Sequence, residues 1–111
     1  MASKITVAKK IEKPGGSEGD EILYVIPPGK KGRFGTFNVA FPSGTNDELQ
    51  ISFYRGIEKI VPTDGVLVGD GVSYEIEEIE EYQTDEKIIV HWKNTGTTVR
   101  KAYILLEGEL M

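Results

Sequence analysis

Glu86-Lys87-Ile88-Ile89-Val90-His91-Trp92-Lys93-Asn94-Thr95-Gly96-Thr97-Thr98-Val99-Arg100-Lys101-Ala102-Tyr103-Ile104-Leu105-Leu106-Glu107-Gly108-Glu109-Leu110 decides the fold class. Ile88, Val90 and Trp92 alternate with Ile89, His91 and Lys93, a period of two. The run from Val99 to Leu106 repeats the pattern, with Ala102, Ile104 and Leu106 on one face. Alternation over five or more residues, carried by β-branched and aromatic side chains, argues strand over helix. Asn94-Thr95-Gly96-Thr97 between the runs offers residues that tolerate positive φ, so a tight hairpin is expected here. The only tryptophan would anchor one strand of it.

Outward from this stretch the chain keeps the same grammar. Leu49, Ile51 and Phe53 alternate with Gln50, Ser52 and Tyr54. Phe37, Val39 and Phe41 share a face, with Phe34 and Ala40 on the other. Ile22-Leu23-Tyr24-Val25-Ile26 is a continuous apolar run, expected as a strand buried on both faces. Ile57 to Val61 is a further strand, and Val66-Leu67-Val68 a very short one between Asp-Gly turns. Residues 72–82 are expected as a strand bending after Glu77; a short acidic helix is the alternative, but five neighbouring glutamates would repel in it.

Residues 4–11 form a weak strand, with Ile5, Val7 and Ile11 on one face. The Gly-rich stretch 13–20 reads as a flexible linker. Residues 1–20 are therefore expected as an N-terminal strand or arm plus linker, and 21–111 as the sandwich domain. Thirteen extended residues would reach about 40 Å, enough to cross a subunit of this size. The expected fold is all-β: a single-domain antiparallel β-sandwich, an eight-stranded jelly roll with an N-terminal strand or arm.

Composition narrows the function classes. A chain of 111 residues is one domain and buries enough surface to fold without staples. The lack of cysteine excludes disulfides, thiol catalysis and cysteine-ligated zinc. No signal peptide and no membrane-length apolar run are seen, so synthesis in the cytoplasm is expected, with a virus particle as a further destination. Few Asn and Gln beside many Lys and Glu fit a thermophilic source. The net charge of −5 argues against direct nucleic-acid binding.

Catalytic and ligand-binding constellations are thin. His91 is the only histidine and has no nucleophile partner, so no catalytic residue is expected. Asp64, Asp70, Glu75 and Glu77 match no calcium-loop spacing, so no metal or cofactor is expected. The many acids make any glycosidase-type carboxylate pair uninformative. Tyr24, Tyr54, Trp92 and Tyr103 could line a sugar platform, which keeps a carbohydrate- or surface-binding module as the alternative.

The charge is split. Residues 1–33 carry seven basic against four acidic residues, or +3, leaving −8 for the rest. The acids concentrate in 70–86, a stretch without a basic residue. A basic set (Lys9, Lys10, Lys30, Lys31, Arg33) and an acidic set (Glu78, Glu80, Glu81) could pair within one chain, or between copies in a head-to-tail contact. Surface pairs are individually weak, so burial of Ile5, Val7 and Ile11 would have to supply most of the binding.

The layout of an N-terminal segment, a linker and one compact eight-stranded sandwich resembles the small accessory proteins of tailed-phage and archaeal virus particles. These include capsid decoration (cement) proteins and jelly-roll head or tail modules. The resemblance lies in architecture and carries no functional residue across. It implies a non-enzymatic structural protein that binds and stabilises a capsid or tail surface, often as a trimer, with protein partners and no membrane.

Overall fold

The computed structural model describes residues 3–111. It contains β1 (Ser3–Lys13), β2 (Glu18–Val25), β3 (Gly32–Phe41), β4 (Leu49–Arg55), β5 (Glu58–Val61), β6 (Val72–Tyr82), β7 (Lys87–Asn94) and β8 (Arg100–Leu110). No helix occurs among the described residues, so none is long and apolar enough to cross a membrane. The strands form two four-stranded sheets, ordered β1-β8-β3-β6 and β2-β7-β4-β5. Every pairing is antiparallel. The pairs β4–β5, β3–β6, β2–β7 and β1–β8 nest one inside the next, and this nested set folds over into two layers. That is the jelly roll, and the expected fold class holds.

The period of two explains the core. Phe37, Val39 and Phe41 of β3 face Leu49, Ile51 and Phe53 of β4, with Ile88 and Val90 of β7 and Ala102, Ile104 and Leu106 of β8 completing the interior. All are 4% exposed or less. Each large side chain taken out of water contributes about 1.5–3 kcal/mol. Leu67 adds to this core through a two-way backbone bridge to Ile51.

Four local expectations are corrected. The first is the hairpin at 94–97. β7 and β8 do not pair: they lie at inner positions of different sheets, and the connection crosses between the layers. Inner positions satisfy both backbone edges of each strand, which a lone hairpin could not. Asn94 makes the crossing. Its side chain is 1% exposed; Nδ2 donates to Lys13 O (3.0 Å) and Thr98 O (2.9 Å), and Oδ1 accepts from Gly96 N (3.0 Å).

The second is the run Ile22–Ile26. β2 is an edge strand with an open outer face. A bulge between Ile22 and Tyr24 changes its phase, so Ile22 is 53% exposed while Ile26, just past the strand, is buried. The third is Phe34, which is fully buried beside Phe37 rather than on the opposite face. A register shift at Gly35, against Glu78 and Ile79 on β6, swings it inward. The same shift is the bend expected after Glu77, in what is a strand throughout. The fourth is Ile57, which lies before β5 at a hairpin tip and is completely exposed.

β1 pairs with β8 along its whole length, Ser3 with Leu110 to Lys13 with Arg100. It is the edge strand of its sheet, and Ile11 is fully buried in the core. The stretch expected as a flexible linker is a short turn. Gly16 adopts φ 72°, Ser17 Oγ donates to Pro14 O, and Gly16 N donates to Asn94 O. Residue 20 already lies inside β2. A side chain at Gly15 would sit 2.4 Å from the Thr97 backbone, so only glycine lets the turn seat there.

Candidate interaction surface

The basic and acidic sets end up at opposite edges of one sheet. β1 and β6, each 11 residues long, flank β8 and β3. Neither edge strand has a second neighbour within its sheet.

Part of each set is used inside the molecule. Along the β1–β2 side, Lys9 Nζ lies 3.2 Å from Glu21, and Lys13 also binds Glu21. Lys13 Nζ sits 4.2 Å above the Trp92 ring, and Gly19, opposite Trp92 on β2, leaves room for the ring where a side chain would not. These groups clasp the seam between the two sheets. The opposite seam has its own clasp. Arg55 reaches Glu58 (2.9 Å), Glu80 (3.5 Å) and Glu86 (3.8 Å), donates to Glu81 O (3.0 Å), and lies over the Tyr82 ring. Burial pushes the Tyr82 phenol above its ordinary value, with Arg55 pulling weakly the other way, so this ring stays neutral.

Lys13, hydrogen-bonded to Glu21, holds that carboxyl below its ordinary 4.5, outweighing the partial burial that would raise it. The folded chain therefore releases this proton at lower pH than the unfolded chain. The clasp's contribution is complete above pH 4.5 and is lost as pH falls through the depressed value. Glu21→Gln is expected to cost about 1 kcal/mol at pH 7 and less at an acid pH below 4.5. Urea unfolding at the two pH values measures it. A gap of equal size at both would remove Glu21 from the acid response.

The expected contact residues fall into three groups. Ile11 is core, and Ile5 and Val7 are half-buried against it. Lys9, Arg33, Glu80 and Glu81 are already paired, Arg33 with Glu81 at 3.1 Å. Lys10, Lys30, Lys31 and Glu78 make no ion pair among the described residues, nor do Lys4, Glu75 and Glu77. Lys30 and Lys31 sit on the turn before β3, where Lys31 exchanges backbone hydrogen bonds with Met111.

Other candidate groupings are dispersed. Asp70 accepts from Gly44 N (2.6 Å) and ties two loops. Glu75 and Glu77 point from the outer face of β6, and no metal-holding group of three ligands occurs among the described residues. The four rings of the expected sugar platform also part company. Tyr24 packs on Phe34 (5.4 Å), Trp92 lies under Lys13, and Tyr54 and Tyr103 face outward from different sheets. His91 is on an outer face, as its alternation implied. Its ring nitrogens lie 2.6 Å from Asp20 and 2.9 Å from Glu18.

The outer face of β2-β7-β4-β5 carries a surface that alternation alone did not reveal. Ile22, Ile89 and Tyr54 lie level across three strands. Val25, 41% exposed, flanks one end, and Ile57 projects at the other. Asp20, Tyr54, Gly56, Ile57, Ile89 and His91 line a shallow hollow there. The signal available in the sequence was an isoleucine directly after Arg55-Gly56, a turn context with no reason to hold one.

No protein-family model matches the chain, and no curated protein matches it. Among solved structures it is similar to a chain of the acid-stable capsid structure of Helicobacter pylori bacteriophage KHP30. The identity is 13% and the TM-score 0.62, covering 100% of this chain and 94% of that one. It is also similar, at 12% identity and a TM-score of 0.43, to a chain from Bacillus endospore appendages, a family of disulfide-linked pili, covering 96% and 88%. The capsid likeness is one of fold; the pilus likeness is too distant to carry argument.

Proposed function

We propose that this protein is a structural component of a virus particle, of the decoration (cement) type, which docks on a protein lattice and stabilises it. The observation that carries this reading is the apolar stripe ending in Ile57. A fully exposed isoleucine on a hairpin tip, continuous with Tyr54, Ile89 and Ile22 and rimmed by charged groups, is a docking feature. A flat stripe suits a macromolecular surface better than a small ligand. The jelly roll shared with a phage capsid chain supports the setting. The partner is a particle-shell protein offering a shallow apolar hollow to Ile57. No catalytic group or cofactor enters this reading.

Density-gradient sedimentation tests it, with the protein mixed with virus particles from the culture that encodes it. The wild type should travel with intact particles. Ile57→Asp should lower the bound fraction about tenfold, since burying an unpaired charge costs more than the lost contact. A wild type that stays at the top of the gradient beside intact particles overturns the reading.

A further inference from the structure

We infer that a second copy of this chain adds to the first edge to edge, with β1 of one copy pairing antiparallel with β6 of the next to continue the sheet. The particle-docking reading uses the other sheet and places nothing on these edges, so the two stand or fall separately.

The argument begins with register. Lys4 lies opposite Glu109, Glu109 opposite Arg33, and Arg33 opposite Glu81. Across the outer face, this row therefore alternates in sign from a lysine at one edge to a glutamate at the other. The residue that would continue it beyond Glu81 is another Lys4. Two rows further along, Ala8, Leu105, Asn38 and Glu75 lie level, followed by Lys10, Tyr103, Ala40 and Ser73. A copy docked in flush register sets Lys4 opposite Glu81 and Lys10 diagonal to Glu75. Both positions are within reach of opposite-charge attraction between strands.

Strand direction agrees. Four antiparallel strands leave β1 and β6 running in opposite senses, so a neighbour repeated in the same orientation meets β6 with an antiparallel β1. Lengths agree as well, 11 residues against 11. Lys4, Lys10, Glu75, Glu77 and Glu78 make no ion pair within the chain among the described residues. Ile79 and Val72, 71% and 43% exposed on a strand that carries five glutamates, gain cover from the contact.

Charge also sets which edges can meet. β6 against β6 opposes glutamates, and β1 against β1 centred on Val7 opposes Lys4 and Lys10, so these two-fold pairings are disfavoured. The unlike pairing sets lysines against glutamates instead. A contact between unlike surfaces repeats head to tail and closes into a ring or grows as a filament.

Light scattering after size exclusion tests this on the full chain at about 50 mM and about 500 mM salt. Assembly above the monomer mass is expected at low salt, about tenfold weaker at high salt. Lys4→Glu with Lys10→Glu should dissociate it, as should Glu75→Lys with Glu81→Lys. All four changes in one chain should restore it, because the charges are then exchanged rather than lost. Circular dichroism and melting curves establish that each variant is folded. Hydrogen exchange on the wild type at rising concentration should protect β1 and β6 together, independently of any variant. A wild-type monomer at every concentration overturns the inference, as does an oligomer indifferent to the reversals. Ile57→Asp should leave this assembly intact.

Discussion

Phe34→Ala is expected to lower stability by about 4 kcal/mol, within the range for phenylalanine truncation in a core, and the melting temperature by about 15 °C. The ring is fully buried, 5.4 Å from Tyr24 and 5.8 Å from Tyr82. Two glycines line part of its pocket. A Cβ on Gly108 would stand 2.4 Å from Phe34 and 2.5 Å from Arg33 O, and one on Gly32 would stand 3.1 Å from Phe34. Glycines have no side chain to move into the vacated space, so the cavity collapses little on that side. The same variant checks the register shift at Gly35. Without the shift, Phe34 would face solvent and its truncation would cost under about 0.5 kcal/mol. Urea unfolding reads the difference, and a loss below about 1 kcal/mol would refute the bulged register.

Asn94→Ala is expected to cost about 3 kcal/mol. The buried amide satisfies two carbonyls, of Lys13 and Thr98, and one N–H, of Gly96. Alanine leaves all three backbone groups short of a partner, each worth about 1 kcal/mol or more when buried. Asn94→Asp separates the roles. It keeps an acceptor for Gly96 but cannot donate to either carbonyl and brings a negative charge against both. It should be at least as destabilising as alanine at neutral pH. Thermal unfolding of both variants decides; a loss under about 1 kcal/mol in each would mean that the crossing holds without this side chain.

Periodicity in the sequence reported faces far better than neighbours. Leu49, Ile51 and Phe53, and Ala102, Ile104 and Leu106, are buried as their alternation requires. Alternation says nothing about which strand lies alongside, so Asn94–Thr97 read as a hairpin when it is a crossing between layers. Single-residue bulges are equally silent. They leave composition unchanged while reversing every face beyond them, which misplaced Phe34 and made Ile22 read as buried. The charge split was visible, but its partners were not. Lys9 and Lys13 are answered by Glu21 on the facing sheet, because β1 and β6 lie too far apart in one copy to meet. Ile57 escaped because Ile57-Glu58-Lys59-Ile60-Val61, directly after a turn, reads as a strand from its first residue.

The nested pairing fixes the order in which a growing chain can acquire its contacts. β1 has only β8 to pair with, β2 only β7, and β3 only β6 and β8. The first partnership open to a nascent chain is therefore β4 with β5, closed over Gly56 and Ile57. Four strands leave the ribosome before any partner exists, and β1 waits for the last strand to be made. Closing the inner pairs first shortens the loop that each outer pair must then close. Through that interval the lysines of β1 and the acids of β2 keep unpaired strands soluble and turn away chance neighbours. The charges along these edges thus guard the chain during synthesis, before there is any folded surface for them to decorate.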